Sequence, residues 1–279
     1  MTQLNQYIFN LYHFILNVRD TMEYTIDREH DVKIFENRKK VLTDELLEGH
    51  AFGNFLLNNG EAGEKLKARV QDFIDEFYKE GNNTLVVAGD KIRVDHSQNI
   101  KILEQVIDLS NTLRDILGQY MGAARQKNER DPLIEQLVAN DERMFRVVFA
   151  MLTMREFQKS FSEFQKMMAE SKGQPTPQSN FIVQNELFKL AKMFRDSRAA
   201  VHVTDNETLD LLDECIELVE MTEGRRDRRD NKPFKDFFDA CNQKLGEAVN
   251  KVEPLWKQSY ETAVQVMLND QKPAAEAAA

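Results

Sequence analysis

Polar residues near the start of the chain fall at Gln3, Gln6, Asn10, His13, Asn17 and Asp20. Steps of three and four place them on one narrow helical stripe, and Leu4, Tyr7, Ile8, Phe9, Leu11, Phe14, Ile15 and Val18 fill the rest of the circumference. The pattern predicts a helix over residues 2–26 that is covered on most sides, as a central core helix with a thin wet edge. A second reading takes Asn10, His13 and Asn17 as an oligomer seam, because an uncharged polar residue in an apolar interface fixes its register.

The same period recurs through most of the chain. Ile34, Phe35, Val41, Leu42 and Leu46 predict a helix over about 31–48, and residues 49–63 read as a connector with an apolar plug, Phe52 to Leu57. Leu66, Val70, Phe73, Ile74 and Phe77 predict a helix over 61–80, stopped by Gly81. A long helix over 97–126 follows from Ile100, Leu103, Ile107, Leu113, Leu117, Tyr120 and Met121. Asp131 and Pro132 then supply an N-cap and first turn for a helix, or a broken pair, reaching about 171. Its seam of Val147, Met151, Met154, Phe157, Phe161, Phe164 and Met168 suits a core, or an adaptable partner groove, since Met repacks easily. Four more helical segments are predicted at 181–200, 205–223, 233–252 and 254–269. Thr204 and Glu207 form a capping box for the second, and Pro254 kinks or divides the last stretch.

Residues 82–99, NNTLVVAGDKIRVDHSQN, alternate with a period of two instead. Gly89-Asp90 supplies a two-residue turn with glycine first, which suits type II′. That register pairs Val87 with Ile92 and Leu85 with Val94, so four apolar side chains share one face. A lone hairpin is marginal in water, so this face is expected to cover the N-terminal core or to pack on another chain, with Val87 and Ile92 as interface candidates. Asp95 and Gln98 resemble a capping pair for the helix that follows. The fold expected is therefore all-α, a multi-helix bundle with one small β-hairpin insertion at about 84–95.

The 279 residues allow one large domain or two. SKGQPTPQSN, 171–180, carries two prolines and reads as the linker. The division expected is an N-terminal helical domain over 1–172, a C-terminal bundle over 180–270 and a disordered tail over 271–279. Gly numbers only 11 and Pro 6, too few for the turns of an all-β protein.

Lys and Arg total 37 against 47 Asp and Glu, a net charge of −10, which argues against broad nucleic-acid binding. The most apolar stretch, YIFNLYHFILNV at 7–18, is interrupted by Asn10, His13 and Asn17 and is too short to span a bilayer. With no signal-peptide features, a soluble cytoplasmic protein is expected. Cys215 and Cys241 each lie in an apolar-periodic segment and outside any CxxC, which suits reduced, buried thiols rather than a disulfide framework or a zinc site.

The chain lacks a P-loop, a GxGxxG, an HExxH, a GxSxG and any Glu-x-x-His. His30-Asp31 is a pair that ligates metal in some all-α phosphohydrolases, but its charged setting between helices favours Asp31 as a helix N-cap. The acidic run ETLDLLDECIELVEMTE, 207–223, places Glu214 and Glu217 three apart on one helical face. Asp236 and Asp239 repeat the spacing on the next helix. Paired carboxylates on two helices suit Mg²⁺, because hard cations take several oxygen ligands. Between the pairs, GRRDRRDNKPFK places Arg225, Arg226, Arg228 and Arg229, whose guanidinium forks suit phosphates or an acidic partner. A solvated loop that offsets the nearby carboxylates is the plainer reading of that stretch.

The stretch LDECIEL…KDFFDAC loosely resembles the MazG-like all-α nucleotide pyrophosphohydrolases, whose pattern is Glu-x-x-Glu followed across a loop by Glu-x-x-Asp. The resemblance covers about residues 182–251 and implies metal-ligand roles for Glu214, Glu217, Asp236 and Asp239. Asp236 stands where the family has Glu. The reading preferred here is a non-catalytic helical interaction or assembly protein with a protein partner or a homo-oligomeric state and no cofactor. The alternative is a Mg²⁺-dependent nucleotide pyrophosphohydrolase built on the carboxylate pairs.

Overall fold

The structure is a computed structural model that describes residues 2–26, 29–44, 60–79, 85–170, 185, 188–195, 206–224 and 232–270. Its helices are α1 (Gln3–Glu23), α2 (Val32–Leu42), α3 (Glu61–Phe77), α4 (Asn99–Gln126), α5 (Pro132–Glu170), α6 (Asn206–Gly224) and α7 (Lys232–Asp270), with a further helical stretch at 188–195. Three short strands, β1 (His30–Asp31), β2 (Leu85–Ala88) and β3 (Lys91–Val94), form one antiparallel sheet. The all-α fold with a small sheet expected from the periodicity is the fold observed. The contacts divide the chain into two compact units, Met1–Glu135 with Gln265–Ala279, and Gln136–Val264. The boundaries fall within α5 and within α7, and residues 171–180 and 271–279 lie outside the described residues.

In the first unit α1 is the central rod. Thr2 caps it by accepting a hydrogen bond from the Asn5 N–H, at 3.3 Å. Ile8, Phe9, Leu11, Phe14, Ile15 and Val18 are buried, and the polar stripe is the face that keeps contact with solvent. Burying each such side chain contributes about 1.5–3 kcal/mol before chain entropy is counted. α1 packs chiefly on α4, and α4 also receives α3, whose Leu66, Val70, Phe73, Ile74 and Phe77 are all buried. α2 buries Phe35 and Leu42 but leaves Ile34 exposed, so its apolar face is narrower than the sequence suggests.

α4 ends in a left-handed turn. Asn128 takes φ 57°, the Glu129 N–H donates to the Ala124 carbonyl at 2.9 Å, and the Asn128 N–H donates to the Arg125 carbonyl at 3.2 Å. This is a Schellman closure with asparagine where glycine is commoner. α5 starts as the sequence predicts, with the Asp131 carboxylate accepting from the Leu133 N–H at 3.0 Å.

In the second unit, Met154, Phe157 and Phe161 of α5 meet Leu190 and Phe194, Leu212 and Val219 of α6, and Phe238 and Leu245 of α7. The Met/Phe stripe is core over its described length, and Phe161 and Phe157 lie 5.5 and 5.8 Å from Phe238, ring centre to ring centre. α7 runs unbroken through Pro254, where the sequence predicts a kink or a division. Proline removes one rung of the helical ladder, and the flanking turns supply enough hydrogen bonds and packing to carry the helix past it.

Candidate functional site

The hairpin forms in the predicted register, with Leu85 opposite Val94 and Val87 opposite Ile92. Gly89 has φ +64° while Asp90 does not enter the left-handed region, the signature of a type II′ turn. The periodicity of the sequence does not anticipate β1, which pairs with β3 through His30–Ile92 and Asp31–Lys91. The Val32 N–H extends this pairing to the Asp90 carbonyl at 3.2 Å. The strand order β1-β3-β2 puts β3 in the middle and leaves β2 at an edge.

One rung crosses the sheet as His30, Ile92 and Val87, and their exposures are 3%, 9% and 64%. Cross-strand partners point to the same face, so cover on this apolar face is complete at β1 and β3 and absent at Val87. The edge strand LVVA contains no charge and no proline, the devices that normally discourage pairing with another chain.

His30 sits in an aromatic stack, 4.4 Å from the Tyr24 ring and 6.1 Å from Phe35, which itself stacks on Tyr78 at 4.4 Å. Arg38 lies over Tyr24 at 4.6 Å. Burial pushes the Tyr78 hydroxyl pKa up, against the weaker pull of Arg38. Asp31 caps α2 by accepting from the Lys33 N–H at 3.0 Å. The His-Asp pair is therefore divided between a packed ring and a helix cap.

The second unit carries a charged groove of about 610 Å³ between α6 and α7, with Arg143 of α5 at its rim. Glu207 accepts from Lys251 at 3.2 Å and faces Arg143 at 3.7 Å, and Glu214 pairs with Lys244. Glu214 holds the Lys244 ammonium pKa above its usual range by direct hydrogen bonding. Each groove cation thus has a carboxylate partner, and Asp210 and Glu247 also line the groove, so its charge leans acidic and disfavours a phosphate. The two lysine pairs are solvent-exposed and worth under about 1 kcal/mol each.

Glu214 and Glu217 on α6 and Asp236 and Asp239 on α7 are all exposed. Among the described residues no group of three or more His, Cys, Asp or Glu side chains is placed to hold a metal ion. The described arrangement therefore offers no ready cage for the Mg²⁺ that the pyrophosphohydrolase resemblance implies. Arg225, Arg226, Arg228 and Arg229 lie outside the described residues.

On α1, Asn10 and His13 are half-buried and Asn17 is exposed. His13 meets Phe9 edge-on at 4.6 Å, and burial lowers its pKa below the usual imidazole range. The groove partners escape a reading of the sequence because Glu214 and Lys244 meet only through the packing of two helices. The capping pattern around Glu207 was the one nearby signal.

Comparison with protein families, curated proteins and solved structures finds no match. No described helix is long and apolar enough to cross a membrane.

Proposed function

We propose that this chain is a non-catalytic helical interaction protein that assembles with another protein chain through the free edge of β2. The observation that carries the reading is the uncovered Val87 on a strand with a single neighbour among the described residues. A strand in that position offers unpaired backbone donors and acceptors, and an added strand satisfies them while its side chains cover the apolar face. A second copy of the chain is the simplest partner, because two such edges complement each other about a two-fold axis. The paired charges of the groove and the lack of a described metal cage favour this reading over pyrophosphohydrolase chemistry.

Light scattering coupled to size exclusion, run across a concentration series, tests the proposal. The wild-type chain is expected to self-associate, and Val87→Lys is expected to shift it to monomer without lowering its melting temperature. A wild-type chain that is monomeric throughout, or a Val87→Lys assembly indistinguishable from wild type, overturns strand addition between copies. Mg²⁺ or Mn²⁺ raising the melting temperature, with the rise lost in Glu217→Ala, would instead support the pyrophosphohydrolase reading.

A further inference from the structure

We propose that the groove between α6 and α7 is a docking site for a basic, amphipathic helix of another protein. Every residue that lines it belongs to the second unit, whereas Val87 belongs to the first, so this surface stands independently of strand addition at β2.

The floor of the groove is apolar. Ala248, Val252 and Leu255 recur at steps of four and three along α7 and so form one stripe, and Leu211 of α6 lines the same groove. Leu211 and Ala248 pack against the core of the second unit, Val252 is buried, and Leu255 is exposed. Ala248 puts a single methyl group where the rest of the stripe carries larger side chains, which leaves room inside the cavity of about 610 Å³. The α7 lining runs from Lys244 to Leu255, about three turns or roughly 16 Å of helix. That length and an apolar stripe suit the docking of a short helix that presents its own apolar face.

The rim sets the sign of the occupant. Glu207, Asp210, Glu214 and Glu247 line the groove with three cations, and those cations are already engaged. Glu207 pairs with Lys251 at 3.2 Å and faces Arg143 at 3.7 Å, and Glu214 pairs with Lys244. Asp210 has no ion pair among the described residues, and Glu247 accepts from the neutral Gln243 amide at 3.0 Å. These two carboxylates stand beside the floor residues Leu211 and Ala248 in the sequence, one on each helix. Lys or Arg flanking an apolar stripe would neutralise both, whereas an acidic helix would add to the repulsion. The net charge of −10 makes a second copy of this chain the poorer match.

Fluorescence anisotropy on the full chain tests the proposal with a labelled synthetic helix of leucine and lysine, its leucines spaced three and four apart. Saturable binding that weakens with added salt is expected, roughly tenfold tighter than for a glutamate-for-lysine version or for a peptide whose leucines are scrambled off the helical period. Ala248→Phe fills the groove and should weaken binding about tenfold. Leu255→Gln, at an exposed position, should weaken it several-fold and serves where phenylalanine disturbs the fold. Asp210→Lys with Glu247→Lys should turn the preference toward the glutamate peptide, and Val87→Lys should bind as wild type does. Absence of binding would overturn the proposal. Equal affinity for the scrambled peptide would do the same by reducing the effect to net-charge attraction. So would wild-type binding in both Ala248→Phe and Leu255→Gln, or a loss of binding in Val87→Lys, which would move the peptide to the strand edge.

Discussion

Val94 and Val87 are the same residue on the same apolar face of one hairpin, yet Val94 is fully buried and Val87 is 64% exposed. Their strands explain the difference. β3 pairs with β1 at Lys91 and Ile92 and with β2 along its length, and its Val94 end leads directly through His96–Gln98 into α4, which fixes that end on the core. Among the described residues β2 is bound on one side only. Residue type and alternation thus say that a face is apolar, while strand order decides which part of it becomes core and which part stays available to another chain.

Four substitutions would break or sharpen this contrast. Val94→Asp should be the most damaging, because it buries a carboxylate with no place for a partner. A loss above about 4 kcal/mol, read as a collapse of the urea midpoint or failure to fold, is expected. Ile92→Ala removes the middle of the rung and should cost about 2–3 kcal/mol in the same measurement. Asp31→Ala removes the cap that ties β1 to α2 and should cost about 1 kcal/mol. Val87→Asp should change stability by less than about 0.5 kcal/mol while altering association, the behaviour expected of a surface site. Equal losses at Val94 and Val87 would mean that the two strands are equally covered and would end the comparison.

The parts of the fold set by local rules were readable in the sequence. The α1 stripe, the α3 face, the Asp131–Pro132 start and the hairpin register all follow from spacing and turn chemistry. The parts set by distant partners were not. β1 is only two residues long and exists because Ile92, far along the chain, pairs with His30. Ile34 fits the helical period but finds no cover on α2. The early turns of α5 bury Asn140, Asp141, Glu142 and Arg146, residue types that ordinarily sit at the surface. Of the candidate sites, Val87 and Ile92 form one apolar pair in the sequence, and the sheet separates them into an exposed residue and a buried one.

Pro254 lies on an exposed position of α7, and so does Asn250, whose carbonyl lacks the N–H that any other residue at 254 would donate. With both residues exposed, water can reach this turn of the helix and hydrate the acceptor at small cost. Had the ring fallen on a side turned toward Val252 or Ala263, the same defect would have been sealed in a dry interior. The long rod tolerates its imino acid because the gap in its spine opens outward.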